Sequence, residues 1–302
     1  MRRKIIKQAS RAYTITLPVD WVRKNGLNGG DELEFKTNEK SIVISTDSPR
    51  EVKKISIDAT EWQERTIMNT ITALYSLGAD EIKIISKKDI SEYVRKALNN
   101  VMGFALVSEN HNEYVIKEIN SGEYQHLDEV FKRVFQIILA FYESAIKDIF
   151  GEEKEKLSSM SLRDIEVNKF CLYLQRAVNK SSYADVIKSR AIFTYSFALE
   201  KISDEIERLW RTNIKYKPTK PKELKSLAQM SSEGLGKAFE VFYQFSNNLM
   251  EELYSIREKA RDKASTIKST DPHVVRMMRH IIKIVEDAAD LNHLSIMLKT
   301  EI

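Results

Sequence analysis

Acidic residues four positions apart recur in the C-terminal half of this 302-residue chain. If the surrounding segments are helical, the two carboxylates of each pair stack one turn above the other. Such like charges repel by about 0.2–0.5 kcal/mol in an isolated helix, and the cost rises when the pair borders a buried surface. A hard cation held by oxygen ligands would offset this repulsion. The pairs are Glu200 with Asp204, Glu258 with Asp262, and Glu286 with Asp290.

Repetition is what favours a metal site over a solvated acidic face, which is the alternative for any single pair. The chain has 44 acidic residues, so about six pairs at this spacing arise by chance. Arg190 stands ten positions before Glu200. Arg276 stands ten positions before Glu286, which gives a repeat offset of 86 residues.

A second match links residues 161–164 with residues 255–258, at an offset of 94. The second repeat is therefore shorter between its two helices that carry acid pairs, and a shorter loop would explain this. In the first repeat the pair at residues 164 and 168 reads Asp164 and Asn168, and the amide of Asn168 keeps an oxygen ligand but loses a charge. These matches predict two copies of a three-helix unit.

Apolar spacing supports the helical interpretation of residues 123–302. Helices are predicted over residues 124–150, 162–179, 185–211, 222–243, 247–267 and 272–298. The third has an apolar seam of Ile192, Tyr195, Leu199, Ile202, Ile206 and Leu209. The last has a seam of Met278, Ile282, Val285, Ala289 and Ile296. A stiff, basic connector over residues 215–222 joins the two repeats.

Composition limits the class of protein. With 42% hydrophobic and 30% charged residues, the chain is typical of a helix-rich protein with two or three domains. No apolar run approaches the ~20 residues of a membrane span, and the start lacks the apolar region of a signal peptide. A cytoplasmic protein is expected, with the single Cys171 as a buried hydrophobe.

Charge is unevenly distributed along the chain. The net charge is +4, but the first 24 residues hold seven basic residues against Asp20 alone. This end therefore carries +6, and the remainder of the chain carries −2. Such an asymmetry indicates one polyanion-binding end.

The N-terminal 46 residues are predicted to form four short strands around one helical turn. The strands fall at residues 3–8, 13–17, 32–36 and 41–45. Pro18 opens the helix and Gly26 follows its end, which are the preferred positions of these residue types. A module this small cannot bury a core by itself, so it is expected to pair with a second copy.

The segment KIIKQASRAYTITLPVDWVRKNGLNGGDELEF followed by IVIS resembles the AbrB/SpoVT family of swapped-hairpin DNA-binding domains. The TITLP run, the short helix and the GLxxGDELE turn carry the resemblance. It implies an interlocked homodimeric β-barrel that lays basic side chains on DNA, mainly on phosphates. The candidates are Arg2, Arg3, Lys4, Lys7 and Arg11, with Arg23 and Lys24 in a second rank. A dimerisation module without DNA binding is the alternative.

The middle of the chain reads as a small α/β module. Strands are predicted at residues 52–57, 81–85 and 114–119, the last antiparallel, with helices at 61–77 and 90–102. It has no Gly-rich phosphate loop, Cys/His cluster or Ser/His/Asp set, so we interpret it as a connecting domain. The predicted domains span residues 1–48, 49–120, 121–214 and 222–302.

The helical half resembles the PhoU family of phosphate-uptake regulators, whose hallmark is two three-helix repeats with E/D-x-x-x-D motifs. Together with the AbrB-like start and the α/β segment, the arrangement is similar to archaeal phosphate-uptake regulators. The resemblance implies an α+β, mostly α protein whose acid pairs, Asp164/Asn168 included, bind iron, zinc, manganese or magnesium. Ligation by oxygen favours hard or borderline ions. His293 could add an imidazole, although a surface histidine is commoner.

The functional hypothesis is a phosphate-responsive, DNA-binding transcriptional regulator. Its helical half would sense metal, phosphate or a partner such as a component of a phosphate ABC transporter. The alternative is an adaptor that docks on a phosphate transporter or signalling kinase without touching DNA. An enzyme is not expected, because di-iron carboxylate chemistry needs Glu-x-x-His on two helices, and Glu123 with His126 is the single match.

Overall fold

A computed structural model describes residues 2–8, 12–38, 41–46, 52–119, 127–151, 154, 157–180 and 186–300. The chain divides into two compact units, Met1–Glu51 and Val52–Ile302. The described residues are mostly helical, as the sequence predicts. None of the described helices is long and apolar enough to cross a lipid bilayer.

The first unit consists of two hairpins and one short helix. Strand β1 (Ile6–Gln8) pairs antiparallel with β2 (Ala12–Thr14). Helix α1 (Val19–Lys24) follows. Strand β3 (Glu34–Asn38) pairs antiparallel with β4 (Ser41–Ser45). The four predicted strands and the predicted helix are confirmed, although β1 and β2 are shorter than predicted.

None of the side chains that the structure describes in the first unit is buried. Large apolar side chains are instead between 51% and 70% exposed: Ile5, Ile6, Tyr13, Ile15, Val19, Phe35 and Ile42. Isolated two-stranded hairpins are marginally stable in water. The described part of the first unit therefore exposes apolar surface and has no buried core of its own.

The second unit begins with a four-stranded sheet and two helices. Its strands are β5 (Lys54–Asp58), β6 (Glu81–Ile85), β7 (Phe104–Asn110) and β8 (Glu113–Glu118), in the order β5-β6-β8-β7. Strand β5 is parallel to β6, and β8 is antiparallel to both of its neighbours, as predicted for the last strand. Helices α2 (Glu64–Ser76) and α3 (Ser91–Leu98) share a core with the sheet. Three strands are predicted from sequence, and β7 is the fourth.

In the described part of the chain that follows, six helices enclose one continuous apolar core. They are α4 (Leu127–Ile149), α5 (Leu157–Lys180), α6 (Val186–Tyr216), α7 (Lys222–Gln244), α8 (Asn247–Thr266) and α9 (Pro272–Lys299). We call α4–α6 the first helix set and α7–α9 the second. Within each set every helix contacts the other two. Contacts of α4 with α7 and of α6 with α9 join the sets.

The predicted apolar seam of α6 is confirmed, because all six of its residues are buried. The seam predicted for α9 is only partly right. Val285 and Ala289 are buried, two members are half-buried, and Ile296 is 41% exposed. Met277 and Ile281 are buried instead. Because α9 contacts α6, α7 and α8, its buried face is wider than the predicted seam. The centre of this face is shifted by about one residue from the predicted seam.

Strands β5–β8 with helices α2 and α3 form what we call the sheet module. The last turns of α5 attach this sheet module to the six helices. Arg176 is fully buried there, and its guanidinium donates hydrogen bonds to the carbonyl oxygens of Tyr75 (2.8 Å) and Ala79 (2.7 Å). It also lies 2.9 Å from the Glu118 carboxylate. One turn further, the Lys180 ammonium contacts the same Glu118 carboxylate at 2.5 Å. A buried arginine with this many partners fixes α5 against the sheet module.

Candidate functional site

The predicted DNA-binding residues that the structure describes lie on the surface of the first unit. Arg3 and Lys4 precede β1, and Lys7 lies within it, opposite Tyr13 of β2. No carboxylate of the described residues lies within salt-bridge distance of these three cations. The other predicted residues that the structure describes are also exposed: Arg2, Arg23 and Lys24. Arg11 lies outside the described residues.

Asp164 of α5 is buried against α6. One of its carboxylate oxygens accepts a hydrogen bond from the Ser203 hydroxyl at 2.8 Å, and the other accepts from the Asn168 amide at 3.2 Å. The Oδ1 atom of Asn168 is itself buried and has no hydrogen-bond partner among the described residues. A buried acceptor without a donor is unfavourable, and a bound cation would satisfy it.

Four carboxylates of α5 and α6 interact at this position. Burial raises the pKa of Asp164 to about 6, against the opposing effect of the Ser203 hydrogen bond. The neighbouring carboxylates of Glu207, Asp204 and Glu200 raise it further. Burial, followed by repulsion from Asp204, also raises the pKa of Glu200. The structure thus places the Asp164/Asn168 and Glu200/Asp204 pairs near each other across two helices.

Part of this negative charge is offset by basic side chains of α6. The Lys201 ammonium lies 3.2 Å from the Glu200 carboxylate and 3.3 Å from that of Asp204. The Arg208 guanidinium lies 2.7 Å from the Asp204 carboxylate and 2.5 Å from that of Glu205. Asp164 receives no such partner from the described residues.

In the second helix set, a basic side chain bridges carboxylates of two acid pairs. The Arg261 guanidinium bridges the Glu258 carboxylate of α8 at 3.0 Å and the Glu286 carboxylate of α9 at 2.7 Å. Asp262 and Asp290 are exposed. A protein side chain therefore supplies the positive charge between α8 and α9.

A metal ion fits the donors of the first set better than those of the second. In the part of the chain that the structure describes, no three His, Cys, Asp or Glu side chains are grouped closely enough to hold a metal. The first set nevertheless combines a buried carboxylate with an unsatisfied amide oxygen, which is the donor chemistry of hard cations. His293 is exposed, and the Glu123 and His126 pair lies outside the described residues.

A cavity of about 380 Å³ between α6 and α9 is a feature that the sequence does not reveal. It is lined by Glu205, Met278, Arg279, Ile282, Lys283 and Glu286. Beside it, Nδ1 of His280 lies 2.6 Å from the Glu205 carboxylate. Although burial raises the pKa of Glu205, hydrogen bonds from His280 and Arg208 lower it by more. The partners are 75 residues apart, so no local spacing could predict the contact.

Comparison with known proteins gives a match for the first unit. Residues 6–53 match the family described as "Antidote-toxin recognition MazE, bacterial antitoxin". The matched region contains β1 to β4 and α1, so it supports the swapped-hairpin part of the resemblance and is compatible with a DNA-binding regulator. No curated protein and no solved structure matches the chain. The MazE match does not extend into the six helices, whose resemblance to PhoU stays a prediction.

Proposed function

We propose that the chain is a dimeric DNA-binding regulator of phosphate uptake. The observation that carries this proposal is the exposed basic surface on a unit that matches a MazE family. Arg3, Lys4 and Lys7 are exposed and have no carboxylate partners among the described residues. Such cations can contact phosphates without first breaking an ion pair. Because each phosphate contact releases counterions from the DNA, binding should depend steeply on salt.

Dimerisation is the second part of the proposal, and the exposed apolar side chains of the first unit support it. Tyr13, Phe35 and Ile42 are each more than half exposed. A second copy would cover these side chains and would supply neighbours for the open edges of both hairpins. The interlocked barrel implied by the family resemblance satisfies both requirements.

DNA binding is tested by fluorescence anisotropy of a labelled duplex at several salt concentrations. We compare the full-length protein with the variant Arg3→Gln/Lys4→Gln/Lys7→Gln. A matched control is Lys132→Gln/Lys259→Gln/Lys299→Gln, which removes the same charge from exposed lysines of the helices. The slope of log Kobs against log salt should fall by about 0.9 for each lost phosphate contact in the first variant alone.

Failure of the unaltered protein to bind DNA at low salt would contradict the regulator hypothesis. The adaptor hypothesis, in which the chain docks on a phosphate transporter or signalling kinase, would then be preferred. Equal loss of slope in both triple variants would show that net charge, rather than the first unit, governs binding.

We further propose that the first helix set holds a divalent or trivalent metal ion and gives the regulator its response to phosphate. Asp164 and Asn168 would bind the ion, with Glu200 and Asp204 as further oxygen donors. The ion would supply a positive charge where four carboxylates repel. Support comes from the unsatisfied oxygen of Asn168 and from the burial of Asp164. The phosphate response and contact with transporter components rest on the resemblance to PhoU alone.

The metal proposal is tested by elemental analysis of purified protein and by calorimetric titration with Mn²⁺. We expect Asp164→Asn/Glu200→Gln to lose bound metal, while Glu286→Gln/Asp290→Asn keeps it, because Arg261 already pairs with Glu286. Circular dichroism controls for folding. Equal metal content in both double variants would rule out the first helix set as the principal site.

A further inference from the structure

The connector between the two helix sets is held in a defined conformation. Lys217 adopts a left-handed backbone conformation with φ 45°, which is rare for a residue other than glycine. Its amide donates a hydrogen bond to the Asn213 carbonyl oxygen at 2.9 Å. Pro218 is buried, and Pro221, whose φ is fixed by its ring, directly precedes α7. The lysines of this segment are therefore carried on a fixed backbone rather than on a loose linker.

An aromatic stack ties the connector to the start of α9. The ring of Tyr216 lies parallel to that of His273, with centroids 3.8 Å apart and planes 10° from parallel. The Arg276 guanidinium lies 5.7 Å from the centroid of the Tyr216 ring, and the Lys215 ammonium lies 5.0 Å from it. Cations from two helices thus converge on one exposed ring.

The basic side chains of this surface have no acidic partners among the residues that the structure describes. Lys217, Lys220 and Lys222 of the connector are exposed, as is Arg276. No carboxylate of the described residues lies within salt-bridge distance of any of them. On the adjacent helix, by contrast, Arg208 is paired with acids of its own turn. We call these four residues, together with Tyr216, the connector surface.

Among the described residues, two acids stand next to the connector surface along the chain. Glu223 follows Lys222 in the first turn of α7. The side chain of Asp271 accepts a hydrogen bond from the His273 amide and so is committed to capping α9. Both α7 and α9 begin beside this surface, and the exposed amides of a helix start favour anions such as phosphate. Lys222 adds a further positive charge at such a start.

We propose that the connector surface binds the phosphate backbone of duplex DNA, as a second contact area on the helical unit. The proposal rests on the proposed function in taking DNA as the partner. Spaced, unpaired cations around an exposed aromatic ring suit a repeating polyanion better than a single small anion. The contact reads no bases, so it contributes affinity and salt dependence without sequence preference.

The experiment measures DNA binding by full-length protein at several salt concentrations. The test variant is Lys217→Gln/Lys220→Gln/Lys222→Gln, and the control is again Lys132→Gln/Lys259→Gln/Lys299→Gln. The variant Arg3→Gln/Lys4→Gln/Lys7→Gln reports separately on the first unit. We expect the slope of log Kobs against log salt to fall by up to about 2.7 in the connector variant, from three phosphate contacts at about 0.9 each. The control should leave the slope unchanged.

The outcomes separate this inference from the function on which it rests. If the first-unit variant lowers the slope and the connector variant does not, the inference fails and the regulator proposal stands. If the unaltered protein binds no DNA, both fail. Binding to vesicles of anionic phospholipid is measured in parallel. Loss of vesicle binding without any change in the DNA slope would assign the surface to membranes and would overturn the inference.

Discussion

The two helix sets share the spacing of their acidic residues but place those residues in different surroundings. Asp164 of the first set is buried beside an amide oxygen that has no donor. Its counterpart in the second set, Glu258, is exposed and contacts Arg261. Spacing along a helix determines which side chains share a face. Whether that face is buried depends on the neighbouring helix, so a sequence repeat does not make two equivalent sites.

A second difference lies in the length of α5. At the repeat offset of 94, Thr266 at the end of α8 corresponds to Leu172 of α5. The last two turns of α5 therefore have no counterpart in α8. They carry Arg176 and Lys180, which hold the sheet module. The additional turns thus account for the attachment of the sheet module to the first set alone.

Replacing Arg176 is expected to produce the largest effect and would test whether the additional turns anchor the sheet module. Arg176→Ala removes an ion pair from the largely buried side chain of Glu118 and removes the donor to two buried carbonyl groups. The free energy of unfolding should fall by about 3–5 kcal/mol, measured by chemical denaturation. Arg133→Ala breaks an exposed pair with Glu166 and should cost less than about 1 kcal/mol. Equal losses would show that the buried contacts of Arg176 contribute little.

Replacing Asp164 tests the contrast between this buried acid and its exposed counterpart, Glu258. Its pKa is raised from 3.8 to about 6, so the folded state binds more protons than the unfolded state between these values. The free energy of unfolding should therefore fall as pH rises from about 4 to about 6 and stay lower above that range. In a chelating buffer, Asp164→Asn should be more stable at pH 7 by up to about 3 kcal/mol, with no gain near pH 4.

Glu258→Gln is the matched control for the pH experiment, because this residue is exposed. Its pH profile of stability should follow that of the unaltered protein. If Asp164→Asn is no more stable than the unaltered protein at pH 7, the ionised Asp164 carboxylate does not lower the free energy of unfolding as its raised pKa implies.

Helices α7 and α9 of the second set pack closely at Gly234, and a pair of glycines in α7 tests this packing. A Cβ atom on Gly234 would lie 2.7 Å from a methyl carbon of Val285. Gly234→Ala should therefore lower the free energy of unfolding by about 1–3 kcal/mol. Gly236 has no atom within 4 Å of the same position, so Gly236→Ala should raise it by up to about 1 kcal/mol. Changes of the same sign would contradict the close approach.

Most of the secondary structure could be predicted because it depends on local patterns. The apolar periodicity of α6 gives its buried seam, and the residue preferences at Asp271 and Pro272 give the start of α9. The sequence does not predict strand β7, because the alternation of apolar and polar residues along this strand is interrupted. Its register against β8 shifts between Leu106 and Ser108, which disturbs the period of two.

The site could be predicted only in part. Spacing places Glu200 and Asp204 on one helical face, and it also places Arg208 four residues after Asp204, where an ion pair forms. The hydrogen bond from Ser203 to Asp164 joins residues 39 positions apart. The contacts of Arg176 join residues about 100 positions apart. Such partners are set by how helices pack, which no local pattern encodes.

Helix α5 is uninterrupted from Leu157 to Lys180. Asp164 near one end and Arg176 near the other are twelve residues apart, which is about 18 Å at 1.5 Å per residue. An α-helix bends and stretches little over this distance, so it behaves as a rigid rod. A tilt or slide of α5 at the carboxylates would therefore also displace the Arg176 guanidinium that contacts Tyr75, Ala79 and Glu118. The buried carboxylate and the anchor of the sheet module are therefore carried on one continuous element.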